Sequence, residues 1–242
     1  EYALLLVEKF FGRWLPVRRP EAYVGDVFQS LARTRCIALP APEQVAQMPG
    51  GTVLVEHASD ELRVLLRGML RYSTNITAEA VGMSASGVRG GDVIAGSGRA
   101  MNNWLATHGV DGTRLSCHSG LGVDSRISAA DMVTALATLG PGADLRALLR
   151  PFAIPANLAP KSSHGPLKVD AKTGTLNFVS TLAGYITAPG GAELVFAIFT
   201  GDVARREAAG QTESPPGSTA WIRRSKTLQQ QLIARWGKVY GA

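Results

Sequence analysis

Residues 167–202, LKVDAKTGTLNFVSTLAGYITAPGGAELVFAIFTGD, carry the reading of the fold. Leu167 to Asp170, Leu176 to Ala188 and Glu193 to Thr200 are short, rich in β-branched and aromatic residues, and bounded by turn formers, which predicts three strands. Pro189-Gly190-Gly191 supplies the turn between the last two, so they form an antiparallel hairpin.

The chain on either side is helical. Downstream, after a polar stretch from Arg205 to Ser218, Trp221, Leu228, Leu232, Trp236 and Tyr240 fall near one face of a closing helix. Upstream, Tyr23, Val27 and Leu31 predict a helix over 19–34 with Pro20 near its start. Thr52 to Glu56 alternates like a short strand, and Ser59 is placed to cap a helix with Leu62, Leu65, Leu66, Met69 and Leu70 inward. Helices follow over Asn75 to Met83 and from about Arg99 to His108, separated by a glycine-rich loop from Gly87 to Gly98. Ser128 and Asp131 form a capping-box pattern opening a helix with Met132, Val133, Leu136 and Leu139 inward. Helices first, then an antiparallel sheet with a terminal helix able to cover it, define an α+β domain, and no boundary within residues 1–242 obliges a second one.

The chain has 242 residues, 45% hydrophobic and 18% charged, which excludes a disordered tail. No apolar run approaches the roughly 20 residues of a membrane span. Twenty-five basic against 19 acidic residues give a net charge of +6, suited to ordinary solubility or to an anionic wall polymer. Arg63, Arg67, Arg71, Arg205, Arg206, Arg223 and Arg224 lack the aromatic interleaving of a nucleic-acid surface, so no nucleic-acid partner is expected. Cys36 and Cys117 show no zinc-type spacing, the four histidines show no ligand spacing, and neither a metal nor another cofactor is expected. Ala3 to Val7 lacks the basic leader and cleavage site of a signal peptide, and the expectation is a truncated N-terminus.

Two tripeptides bear on chemistry: Ser73-Thr74-Asn75, between two helices, and Lys172-Thr173-Gly174, on or beside a strand. A Ser-x-Asn and a Lys-Thr-Gly are two of three signatures of penicillin-recognising serine enzymes, the third being Ser-x-x-Lys. Either could equally be a helix cap or a solvated strand end. Their order, their separation and the hairpin after the second favour the chemical reading.

The runs RRPEAYVGDVFQSLARTRCIALP, LLRGMLRYSTNITAEAV, HSGLGVDSRISAADMVTAL and KTGTLNFVSTLAGYITAPGGAELVFAIFTGD resemble, in order, the C-terminal half of class C low-molecular-mass penicillin-binding proteins, which are D-alanyl-D-alanine carboxypeptidases/endopeptidases. The resemblance covers about residues 13 to 202. It implies a β-lactamase/transpeptidase-like α+β fold, an antiparallel sheet flanked by helices, incomplete at the N-terminus. It implies a periplasmic or cell-wall location with peripheral contact to membrane or wall, and as partners peptidoglycan D-Ala-D-Ala peptides and β-lactams. It also implies roles: Ser73 as proton relay to the departing amine, Asn75 as an amide for the substrate backbone, and Lys172 as a fixed charge near Ser73 and the terminal carboxylate. Thr173 would hydrogen-bond that carboxylate, Gly174 would let substrate lie against the strand, and the Thr175 N–H would supply half of an oxyanion hole. His118-Ser119-Gly120-Leu121-Gly122 resembles a family stretch in which Ser-Gly-Leu is often followed by Ser; Gly122 stands there instead.

No serine from Ser30 to Ser225 has lysine three residues later, so the nucleophile motif is absent. The expected account is a part of a longer serine-type D-Ala-D-Ala carboxypeptidase, inactive alone. The alternative is a non-catalytic peptidoglycan-binding pseudo-enzyme.

Overall fold

The computed structural model describes residues 3–6, 14–17, 19–47, 49–87, 93–160, 162–210 and 212–241. A four-stranded antiparallel sheet forms its centre, in sequential order: β3 (Arg150–Pro151), β4 (Lys168–Leu176), β5 (Val179–Thr187) and β6 (Glu193–Gly201). A separate two-stranded antiparallel sheet, β1 (Ala3–Leu6) with β2 (Trp14–Val17), precedes the helices in sequence and was not expected from it.

The strand register corrects the sequence reading at one place. Leu176 pairs with Val179, so β4 continues through Lys172-Thr173-Gly174 and turns at Asn177-Phe178, instead of breaking after Asp170 and restarting at Leu176. Phe178 takes a left-handed φ of 57° in this turn, a conformation that its aromatic side chain gave no reason to expect. Burial compensates: Phe178 is 3% exposed and stands edge-on to Trp221. The second turn is as read, with Gly190 and Gly191 at φ 93° and 94°.

The two-residue period of the strands separates two faces. Val169, Ala171, Leu182, Ile186, Phe196 and Ile198 form the core with Ile233 of α7 (Ser218–Val239). The buried side of α7 is Ser218, Ser225, Gln229, Ile233, Ala234 and Gly237; of the expected stripe Leu232 and Trp236 pack against the core and Trp221 against Phe178, whereas Leu228 and Tyr240 are exposed. Close approach explains the small and polar residues of the buried line. A Cβ at Gly237 would come within 2.6 Å of Leu167 Cδ1, Gln229 Nε2 donates to Ser180 Oγ at 3.1 Å, and Ser225 and Thr200 hydroxyls are bonded. A seam of small and polar side chains lets the helix lie low on the sheet, and its polar atoms are satisfied there.

The other face carries α5 (Ala129–Thr138), whose Leu136 carbonyl accepts from the Tyr185 hydroxyl at 2.8 Å. Ser128 caps α5 as expected, its Oγ accepting from Asp131 N at 3.0 Å. A 3₁₀ turn at Leu145–Leu148 is clamped to the sheet by Arg146, which donates to Asp170 at 2.8 Å and to Thr187 at 2.7 Å and pairs with Glu193.

The remaining helices are α1 (Pro20–Thr34), α2 (Leu62–Tyr72), α3 (Asn75–Gly87) and α4 (Ile94–Ala106), with a short α6 (Val203–Ala209) after the sheet. Three expectations fail here. Residues 52–56 are not a strand: Val53, Leu54 and Val55 are 78%, 91% and 85% exposed with no strand beside them among the described residues, and alternation alone cannot supply a ladder partner. Ser59 does not cap α2; its hydroxyl bonds Asp60 O, and Glu61 is the N-cap residue without a side-chain bond. The loop expected over Gly87 to Gly98 is partly helical, because α4 begins at Ile94 and buries Gly98 against the Leu115 and Ser116 backbone; residues 88–92 lie outside the described residues.

Candidate active site

α2 ends and α3 begins within three residues, so the chain reverses sharply at Ser73-Thr74-Asn75. Ser73 is the C-cap of α2, with φ 56° and ψ 47°. A left-handed serine is strained by about 1–3 kcal/mol and persists only where its surroundings over-determine it. The turn presents the exposed Ser73 hydroxyl toward β4.

Lys172 meets it. Its Nζ donates to Ser73 Oγ at 2.5 Å and to the Thr173 carbonyl at 2.7 Å. Partial burial, and secondarily the positive charge of Arg150, hold the Lys172 ammonium below its ordinary pKa of 10.5. The lysine occupies two of its three donors on oxygens, and among the described residues it pairs with no carboxylate.

The edge of β4 beside this pair is open. β3 pairs only with Asp170 and Ala171, and no strand of the described residues pairs with the outer side of 172–176. Val169 O accepts from Phe152 N at 2.8 Å, so the backbone groups of Val169 face β3. Two-residue periodicity turns the N–H and C=O of Thr173 and Thr175 to the same side, past the point where β3 ends. Their side chains are exposed, on the sheet face opposite Lys172 and Gly174.

Asn75 and Gly174, the other expected residues, each stand two positions from a member of this pair. Asn75 opens α3 and is half-buried, two residues from Ser73, but among the described residues no hydrogen bond ties its amide to Ser73 or Lys172. Gly174 pairs with Thr181 of β5, and a Cβ there would overlap Thr181 Oγ1. The missing side chain therefore admits the neighbouring threonine.

Sequence reasoning missed the polar network beneath the turn. Glu79, one helical turn after Asn75, accepts from Ser119 N at 2.9 Å and from His118 N at 3.1 Å, pinning the 118–122 loop to α3. Partial burial pushes its carboxyl up, but the Ser119 hydroxyl, these two N–H groups and the His118 charge outweigh that and hold it below 4.5. The His118 ring is bonded through Nε2 to Ser97 Oγ, which lies 2.6 Å from Ser86 Oγ. Gly82 makes room for the ring, since a Cβ there would overlap it. The four-residue spacing of Asn75 and Glu79 was the only signal, and it is common in any helix. Among the described residues no group of three or more His, Cys, Asp or Glu could hold a metal ion, and no helix is long and apolar enough to cross a membrane.

The fold that carries this serine and lysine is that of the penicillin-binding proteins. Penicillin-binding protein 4 of Haemophilus influenzae, crystallised with a β-lactam, superposes with a TM-score of 0.66 at 22% identity, over 92% of this chain and 53% of that one. The chain belongs to the D-Ala-D-Ala carboxypeptidase 3 (S13) family, whose profile matches residues 7–218. It is 32% identical to carboxypeptidase DacB of Mycolicibacterium smegmatis over 76% of this chain, and 28% identical to the D-alanyl-D-alanine carboxypeptidase of Actinomadura sp. over 75%. The chain spans 43% and 37% of the lengths of these two relatives.

Proposed function

We propose that residues 1–242 form the C-terminal part of a penicillin-binding DD-peptidase domain and contribute two thirds of a serine carboxypeptidase/endopeptidase site for peptidoglycan stem peptides, working in the periplasm or at the cell wall. The observation that carries this reading is the Lys172–Ser73 hydrogen bond beside the open edge of β4. In the proposed reaction a serine from a Ser-x-x-Lys motif outside these residues attacks the D-Ala-D-Ala carbonyl. The C–N bond breaks, the terminal residue leaves as an amine, and water later hydrolyses the acyl-enzyme. Because Lys172 donates to Ser73 Oγ, the serine hydroxyl proton is free to point at the leaving nitrogen. The outward N–H of Thr175 suits one half of an oxyanion hole, and that of Thr173 suits a substrate strand.

A β-lactam tests it, because it acylates the nucleophile of such enzymes. The 242-residue chain alone is expected to take no covalent label from a fluorescent penicillin, and labelling is expected on co-folding with a segment that supplies Ser-x-x-Lys. Stoichiometric labelling of a serine within the chain alone would overturn the assignment of Ser73 as a relay. The absence of Ser-x-x-Lys also favours a second reading, a non-catalytic peptidoglycan binder, which predicts binding of D-Ala-D-Ala peptides and no labelling under either condition.

A further inference from the structure

Resting on that reading, we propose that Arg150 is a specificity-determining residue, which selects peptides whose leaving residue carries a free α-carboxylate by offering its guanidinium at the end of β3 beside the Thr173 hydroxyl.

The placement follows from the register. Arg150 pairs with Ala171, so both project to one face of the sheet, and Thr173 is the next residue of β4 on that face. Diagonal neighbours of this kind lie about 7–8 Å apart, within reach of a side chain as long as arginine. Arg150 is also the first residue of β3 and faces Ala171, the last residue of β4 before its outer edge opens, so its side chain borders the strip where an added peptide strand would lie.

Among the described residues no other use is made of this cation. Four residues earlier, Arg146 is bound by Asp170 and Glu193 and ties the 3₁₀ turn to the sheet. Among the described residues Arg150 enters no ion pair and is exposed, and the Thr173 hydroxyl beside it has no hydrogen bond. Lys172, across the same strand, is likewise without a carboxylate, and Arg150 disfavours its charged form. The nearest carboxylate of α3, Glu79, is taken up by two backbone N–H groups. Two uncompensated cations and a free hydroxyl around one open strand edge are complementary to a carboxylate. The planar guanidinium fork fits such a group with two parallel hydrogen bonds.

The test is equilibrium binding to the 242-residue chain, read by NMR titration, of an N-acylated D-Ala-D-Ala dipeptide and of its C-terminal carboxamide. Wild type is expected to prefer the acid. Arg150→Gln is expected to reduce that preference about three- to fivefold, the scale of an exposed charge pair, while affinity for the carboxamide stays unchanged. Arg150→Lys is expected to retain part of the preference, and Arg224→Gln, an equal loss of charge on the exposed side of α7, to retain all of it. An acid preference in wild type that survives Arg150→Gln overturns the role of Arg150 and leaves the proposed peptide specificity standing. Equal binding of acid and amide by wild type, or no binding of either, overturns both.

Discussion

Lys172 Nζ and Ser73 Oγ, 99 residues apart in sequence, are joined by a 2.5 Å hydrogen bond that connects the open edge of the sheet to the helical half of the molecule. Lys172 supplies a charge that no carboxylate of the described residues neutralises, so its truncation removes electrostatic stabilisation where charge develops during acyl transfer. In a preparation that labels with penicillin, Lys172→Ala is expected to lower the acylation rate and D-alanine release about 100-fold, and Thr173→Ala less. An unchanged acylation rate for Lys172→Ala would remove this role.

The same lysine makes a prediction about stability. Its folded-state pKa lies below the ordinary 10.5, so between the two values the unfolded chain holds a proton that the folded chain has released. Stability therefore rises with pH across that window. Chemical denaturation of wild type and Lys172→Met from neutral pH to above 10.5 is expected to show the difference shifting in favour of wild type, then levelling. A difference that shifts the other way would mean that a partner, not burial, dominates at Lys172.

Gly174 gives a test within the sheet. Gly174→Ala places a methyl against Thr181 Oγ1 and is expected to cost about 1–2 kcal/mol in denaturant unfolding, the scale of a modest overpacking. Thr181→Ala removes the obstructing oxygen, so the double variant is expected to recover most of that loss. Additive losses would show that the glycine is required for its backbone conformation instead.

What the sequence made legible follows from how local each signal was. The Ser128 cap and the Pro189-Gly190-Gly191 turn each arise within a few residues and stand in the structure, whereas of the α2 stripe Leu65, Leu66, Met69 and Leu70 are half-buried and Leu62 is exposed. Asn177-Phe178 escaped because a buried aromatic holds the left-handed position that glycine or asparagine ordinarily signals. On α7 the stripe was legible at Trp221, Leu232 and Trp236, which pack on the sheet side, but the fully buried line of Ser225, Gln229 and Gly237 beside them depends on tertiary approach and left no periodic apolar signal. At the site, motif residue types located Ser73 and Lys172, whereas the hold of Glu79 on His118 and Ser119 joins segments about 40 residues apart and left no mark in either. Arg150 acquires meaning only from the point at which β3 ends.

Glu79 is expected to matter in a pH-dependent way. Its carboxylate accepts two backbone N–H groups, and charge-assisted bonds of this kind contribute about 1–3 kcal/mol in total when partly exposed. Since the folded-state pKa lies below 4.5, that stabilisation is present above the ordinary carboxylate value and is lost as pH falls through the folded one. Glu79→Gln is thus expected to unfold at lower denaturant than wild type at pH 7, with the gap closing as the solution is acidified below pH 4.5. A gap of constant size from pH 7 to pH 3 would show that shape, not charge, holds the 118–122 loop.

Ser73 carries the last prediction, because its hydroxyl and its backbone make opposite demands. The left-handed φ of 56° is costly for any residue with a Cβ and nearly free for glycine, so Ser73→Gly relieves strain that Ser73→Ala retains. Both variants delete the bond to Lys172, which makes their difference a measure of the backbone alone. Ser73→Gly is offset by the greater freedom of glycine in the unfolded chain, yet is expected to exceed Ser73→Ala by about 1 kcal/mol in denaturant unfolding. Both are expected to lose penicillin labelling in a preparation where wild type labels. Equal stabilities for the two variants would show that the turn adopts its conformation only to seat the hydroxyl on Lys172, and relaxes once that hydroxyl is gone.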